Sequence, residues 1–213
     1  MSRPAEQLIE RHRVACAGFS RVAELVRPEQ WDAPTPCPDW DAAAVVEHVI
    51  GFHEFLVIRP LGVRAHRPRA GPAARWAATS TALFAALDVP GTLDRVTELP
   101  GGGHGSPRAM LGALTVDVLV HTWDLARAAD LDPALDRELC VRASDAGRGD
   151  DAGGASDMFA APVPVPSEAD TATKLVAAYG RDPGWVSPRS RGPRRFPGGP
   201  SRARRAAGGR SPG

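Results

Sequence analysis

RAMLGALTVDVLVHTWDLARAA, residues 108–129, is the stretch whose reading decides the fold. Ser106-Pro107 ahead of it is a helix-start signal, and Leu131-Asp132-Pro133 closes it. Between those marks the residues read as a core helix, yet two of them carry chemistry. Asp117 and His121 stand four apart, about 40° apart around a helix, and so project side by side.

Working outward, the neighbouring segments read the same way. Leu8, Ile9, Ala15, Phe19, Val22, Ala23 and Val26 recur at spacings of three and four, giving a first helix that begins after Ser2 and Pro4 and ends at Pro28. In WDAPTPCPDWDAAAVVEHVIGFHEFLVI, residues 31–58, three prolines precede a long apolar pattern. Asp39 is the N-cap candidate there, with Asp41 favoured at the positive helix end. A third, Ala-rich helix is expected from about Ala73 to Leu87, between Pro72 and Pro90. GTLDRVTELPGGGHGSP, residues 91–107, permits at most a short hairpin or an irregular loop, with Gly101, Gly102, Gly103 and Gly105 favouring loop. After residue 133 a fifth helix is expected from Ala134 to Ala146, broken by GRGDDAGGASD. An extended strap, APVPVPSEAD, and a last short helix between Glu168 and Tyr179 follow. Substantial helices with short connections and almost no strand pattern define an all-α fold, a helical bundle.

Charge divides the chain. Residues 186–213 hold eight arginines and no acid, so the formal net charge of +1 becomes −7 for residues 1–185. The expectation is therefore one bundle domain, residues 1–185, and a disordered Arg/Pro/Gly-rich tail, residues 186–213, unable to bury apolar area. Cys16, Cys37 and Cys140 are odd in number and lack a CxxC, which suggests neither a disulfide framework nor a thiolate metal site. The N-terminus has no apolar signal region, and no run approaches 18 apolar residues. A cytoplasmic protein without a membrane partner is expected. The glycine-rich stretches neither follow a strand nor open a helix, so nucleotide binding has no support.

The acid–imidazole pair at i, i+4 is the spacing by which one helix offers two ligands to one divalent metal, zinc before nickel, iron or manganese. A third ligand must come from a facing helix, and His48 in VVEHVIGF is the candidate. His53, five residues on, lies roughly 140° round the helix and should not share that site. The same spacing also suits a plain pair on a helix surface. Asp124 reads equally as an acceptor behind a ligand imidazole or as a partner of Arg127 or Arg95. Trp40 and Trp123 read as packing residues, Glu47 as a solvated charge, and His104 as a surface histidine in its loop. Arg127 reads as a surface arginine, and Cys37 as an unpaired thiol in a turn with no mechanism of its own.

TPCPDWDAAAVVEHVIG (35–51), VDVLVHTWDLARAAD (116–130) and MFAAPVPVPSEADTATKLVAAYGRDPGW (158–185) together resemble an actinobacterial family related to mycothiol-dependent maleylpyruvate isomerases, within the DinB/YfiT-like superfamily. The resemblance covers about residues 5–185 and implies a four-helix bundle holding a divalent metal through His48, Asp117 and His121. It departs in two respects. The isomerases usually carry Glu where this chain has Asp117, which draws a metal closer to the helix or weakens its binding. They also have a further C-terminal domain that helps form the active site, for which the arginine-rich tail is no substitute. The function implied is a mycothiol-dependent thiol transferase or isomerase-like enzyme acting on a small electrophilic or organic-acid substrate. The alternative is a non-catalytic bundle that binds a metal or a small molecule. The tail would add only salt-dependent, non-specific affinity for nucleic acid, and the sequence leaves monomer and homodimer open.

Overall fold

A computed structural model describes residues 3–99, 102–146 and 159–188. Helices α1 (Arg3–Leu25), α2 (Ala42–His53), α3 (Pro72–Leu87) and α4 (Pro107–Ala129) form the body. Helix α4 packs along α1 and α2, and α3 closes the ring against the same two helices. Phe19, Val22, Val45, Val49, Leu83, Leu111, Leu114 and Val118 fill the space between them and are fully buried. Trp76 meets Phe19 edge-on, with centroids 5.0 Å apart, and its indole N–H donates to Ser20 Oγ at 2.8 Å. A large aromatic can sit there only because its one polar atom is satisfied. The all-α bundle is thus observed. The pairing of β1 (Thr97–Glu98) with β2 (His104–Gly105) makes only a two-residue hairpin.

Several boundaries differ from the sequence expectation, each for a local reason. The cap of α2 is Asp41, whose carboxylate accepts the Ala44 N–H at 2.7 Å. Asp39 instead turns the chain with φ 66°. Helix α2 does not run unchanged to Ile58, because from Glu54 to Ile58 it widens into a π turn. Helix α4 ends at Asp130, which takes the left-handed conformation (φ 59°) before the proline is reached. Helix α5 (Arg137–Ala146) starts late, because Ala134 has φ 38° and Asp136 accepts the Leu139 N–H at 2.9 Å. Helix α6 (Thr171–Ala178) is capped by Asp170, not opened at Glu168.

By length and composition α4 could cross a membrane, but 67% of its apolar window is buried within the bundle. It is the core helix. Helices α5 and α6 pack together beside the bundle, with α6 also touching α4. The strap ahead of α6 is tied down where the Val163 N–H donates to Ala177 O at 2.8 Å and Phe159 meets Tyr179 at 4.9 Å. The expected break at GRGDDAGGASD and the arginine-bearing part of the tail lie outside the described residues.

Candidate metal centre

Helix α2 presents His48 and α4 presents Asp117 and His121 to one point between them. His48 Nε2 lies 3.1 Å from Asp117 Oδ1, and His121 Nε2 lies 3.4 Å from the same oxygen. One ligand atom from each residue falls within 4.8 Å of the other two. The two imidazole rings meet edge to face at 4.8 Å. Asp117 and His121 are almost wholly buried, with side chains 1% and 3% exposed, whereas His48 is 28% exposed. The cluster therefore opens to solvent on the His48 side.

Loop residue Trp40 covers it. Its ring stacks on His121 at 5.7 Å and tilts against His48 at 4.6 Å. The loop is pinned by the Thr35 N–H to Trp40 O and the Ala42 N–H to Ala33 O. An aromatic read as packing is thus a wall of the site.

Behind His121 is a hydrogen-bonded chain of charged groups that the sequence only half disclosed. His121 Nδ1 donates to Asp124 Oδ2 at 2.9 Å, which leaves Nε2 as the atom facing Asp117. Asp124 is itself held by Arg181, whose Nη2 donates to Oδ2 at 2.8 Å and whose Nε donates to Oδ1 at 3.1 Å. Of the two readings left open for Asp124, the imidazole acceptor is observed, and its arginine is neither Arg127 nor Arg95. Arg127 instead donates to Pro183 O at 3.1 Å and lies over Trp123. Nothing local could have singled out Arg181. It follows α6, 57 residues beyond its partner, and only the docking of α6 and its following turn brings it in.

The charges of the cluster stabilise one another. Burial would raise the Asp117 carboxyl, but His121 and then His48 outweigh it and hold it well below the usual carboxylate range. Burial likewise pulls the His121 imidazole down, yet Asp117 and Asp124 outweigh it and push it up to about 9. Asp117 Oδ2 is buried and has no hydrogen-bond partner among the described residues. A desolvated carboxylate oxygen without a donor is costly. A divalent ion would satisfy it, and two imidazoles with one carboxylate suit zinc and the later first-row metals. The donor set fits a metal. His53 does not join it; that side chain points to α1, where it meets His12.

The class of protein that fold and site define is a helical bundle with a His-Asp-His candidate metal centre between α2 and α4. The chain belongs to the mycothiol maleylpyruvate isomerase N-terminal domain family, which it matches over residues 12–126. Two Mycobacterium tuberculosis proteins, uncharacterized protein Rv0738 (strain H37Rv) and uncharacterized protein MT0763 (strain CDC 1551), are each 35% identical over 178 residues. That alignment covers 80% of this chain and 95% of each relative. No solved structure gives a significant match.

Proposed function

We propose that the chain is a divalent-metal protein that activates a small thiol, by family kinship mycothiol, for transfer to an electrophile or for an isomerisation by addition and elimination. The observation that carries this reading is the convergence of His48 and His121 on Oδ1 of a buried Asp117 whose other oxygen, Oδ2, has no hydrogen-bond partner among the described residues. A bound divalent metal, zinc before nickel, iron or manganese, would supply the Lewis acidity that lowers the pKa of a coordinated thiol. The protein's part is to hold and shield that position. Asp124 and Arg181 fix the His121 ring so that Nε2 faces the site. Trp40 excludes water over His121, and the exposed flank of His48 leaves a side by which thiol and acceptor reach the site. Three protein ligands leave a coordination position free, the arrangement of catalytic rather than structural zinc. Cys16, Cys37 and Cys140 are all free thiols, in keeping with a reducing, cytoplasmic setting.

The test is thiol consumption by the zinc-loaded protein with mycothiol and electrophilic acceptors, maleylpyruvate among them. Turnover that is lost in His121→Ala supports the proposal, and no turnover above the zinc-free protein rejects the catalytic reading. One observation favours the alternative, a bundle that binds without turning over. A protonated His121 between Asp117 and Asp124, with Arg181 behind, leaves the site largely charge-paired without a metal. Zinc that stabilises the protein without supporting thiol consumption would select that reading.

A further inference from the structure

A second cluster of donor atoms lies on the other side of α2, built from His12 and Cys16 of α1 and His53 at the end of α2. All three residues are buried, at most 1% exposed. His12 Nε2 stands 3.1 Å from His53 Nε2 and 3.5 Å from Cys16 Sγ. The hydrogen bonds behind these atoms decide what the contact can be. His53 Nδ1 lies 2.6 Å from Val49 O. A carbonyl cannot donate, so Nδ1 carries the proton and Nε2 of the neutral ring is a bare lone pair. Thr115 Oγ1 commits its one hydrogen to Leu111 O at 2.6 Å. His12 Nδ1, 3.0 Å from that Oγ1, must therefore donate to it, which makes His12 Nε2 a lone pair as well. Two imidazole lone pairs thus face each other at hydrogen-bond distance with no hydrogen between them. The Cys16 thiol has one proton and can serve only one of them.

We propose that His12, Cys16 and His53 form a second metal site, distinct from the first centre, that takes a thiophilic ion of the zinc class. Tetrahedral zinc with ordinary Zn–N and Zn–S bonds sets nitrogen–nitrogen edges of about 3.3 Å and nitrogen–sulfur edges of about 3.6 Å. The two separations above match those edges. On binding, Cys16 releases its thiol proton to solvent and becomes a thiolate, while both imidazoles stay neutral and give their Nε2 lone pairs. The Val49 and Leu111 carbonyls, the latter through Thr115, then act as the outer acceptors that orient ligand histidines in metal proteins. Cys16 also borders a surface depression with Arg13, Ala17, Ser20, Ser80 and Phe84. His53 is the last residue before α2 widens into its π turn, a distortion frequent at functional positions. The site needs no thiol substrate and no turnover at the first centre.

The full chain, reduced and stripped of metal, is titrated with Co2+, whose thiolate complexes show a sulfur-to-cobalt charge-transfer band in the near ultraviolet. The expected result is a band that appears in the wild-type chain, saturates at one equivalent in Asp117→Ala, remains in Cys37→Ser, and is absent in Cys16→Ser. The Cys37→Ser arm excludes a thiolate lent to the first centre by the loop. Wild-type protein without the band at saturating Co2+ overturns the proposal, as does a band lost in Cys37→Ser or kept in Cys16→Ser. A band that also remains in Cys140→Ser leaves Cys16 as its only possible thiolate, so the result does not depend on whether Cys16→Ser folds, and a band lost in Cys140→Ser overturns the proposal.

Discussion

Asp124 and Arg181 show how much one buried pair can govern. Both are almost completely buried, and the carboxylate serves the His121 Nδ1–H as well as the guanidinium. Removing the arginine strands a charge in the interior, so Arg181→Ala should cost about 3–5 kcal/mol, the scale for breaking a buried ion pair, read as a lower denaturant midpoint. Asp124→Asn removes the acceptor that orients His121. Zinc affinity at the first centre should then fall about 10–100-fold, the usual cost of losing an outer-shell partner, in a competition titration with a chromophoric chelator. The three residues that meet at that centre were legible in the sequence, because i, i+4 spacing on an apolar helix is a local signal. Arg181 was not, since its role exists only once α6 and its turn have docked. His12 and Cys16 have the same i, i+4 spacing as Asp117 and His121. That pair is no site by itself: its partner, His53, lies on the face of α2 turned away from His48, and only the packed bundle brings it to His12.

At the level of the elements, the helices and their order followed from apolar periodicity and prolines, and the ends did not. Two aspartates compete for the cap of α2, and composition alone does not choose between them. The structure gives the cap to Asp41 and the turn to Asp39. Asp41→Ala should therefore destabilise by about 1 kcal/mol, while Asp39→Gly should cost little because its φ is positive; chemical denaturation of the two variants separates them. The junction after α6 is stricter. Gly180 has φ 76°, and a Cβ there would meet Ala160 O at 2.5 Å, against backbone that cannot easily yield. Gly180→Ala should lower the melting temperature by several degrees and loosen the strap, raising hydrogen exchange at the Val163 amide that is bonded to Ala177 O.

Taken whole, the molecule hides several imidazoles of opposite sign preference in one bundle, and its stability must depend on pH accordingly. His121 is raised to about 9 from an ordinary 6.5. Its contribution is complete below 6.5 and is lost as pH climbs toward 9, because the unfolded chain gives up the proton first. His12 and His53 are lowered, chiefly by burial. Their neutral forms are favoured in the fold, so stability falls as pH drops below about 6.5, where the unfolded chain binds protons that the fold resists. Asp117, held low, adds stability above its ordinary 3.8 that is lost under more acid conditions. The melting temperature of the metal-free protein should therefore peak near pH 6.5, and His121→Gln should flatten the alkaline limb. A profile that rises steadily from pH 6.5 to 9 would contradict the protonated state assigned to His121.

The account as a whole stands on the first centre. Its most direct test is an anomalous difference map, recorded at the zinc edge, from crystals of the full chain grown with zinc. The expected result is a peak about 2.0–2.2 Å from His48 Nε2, an Asp117 carboxylate oxygen and His121 Nε2. No peak there, with His48, Asp117 and His121 still hydrogen-bonded to one another in saturating zinc, would contradict it.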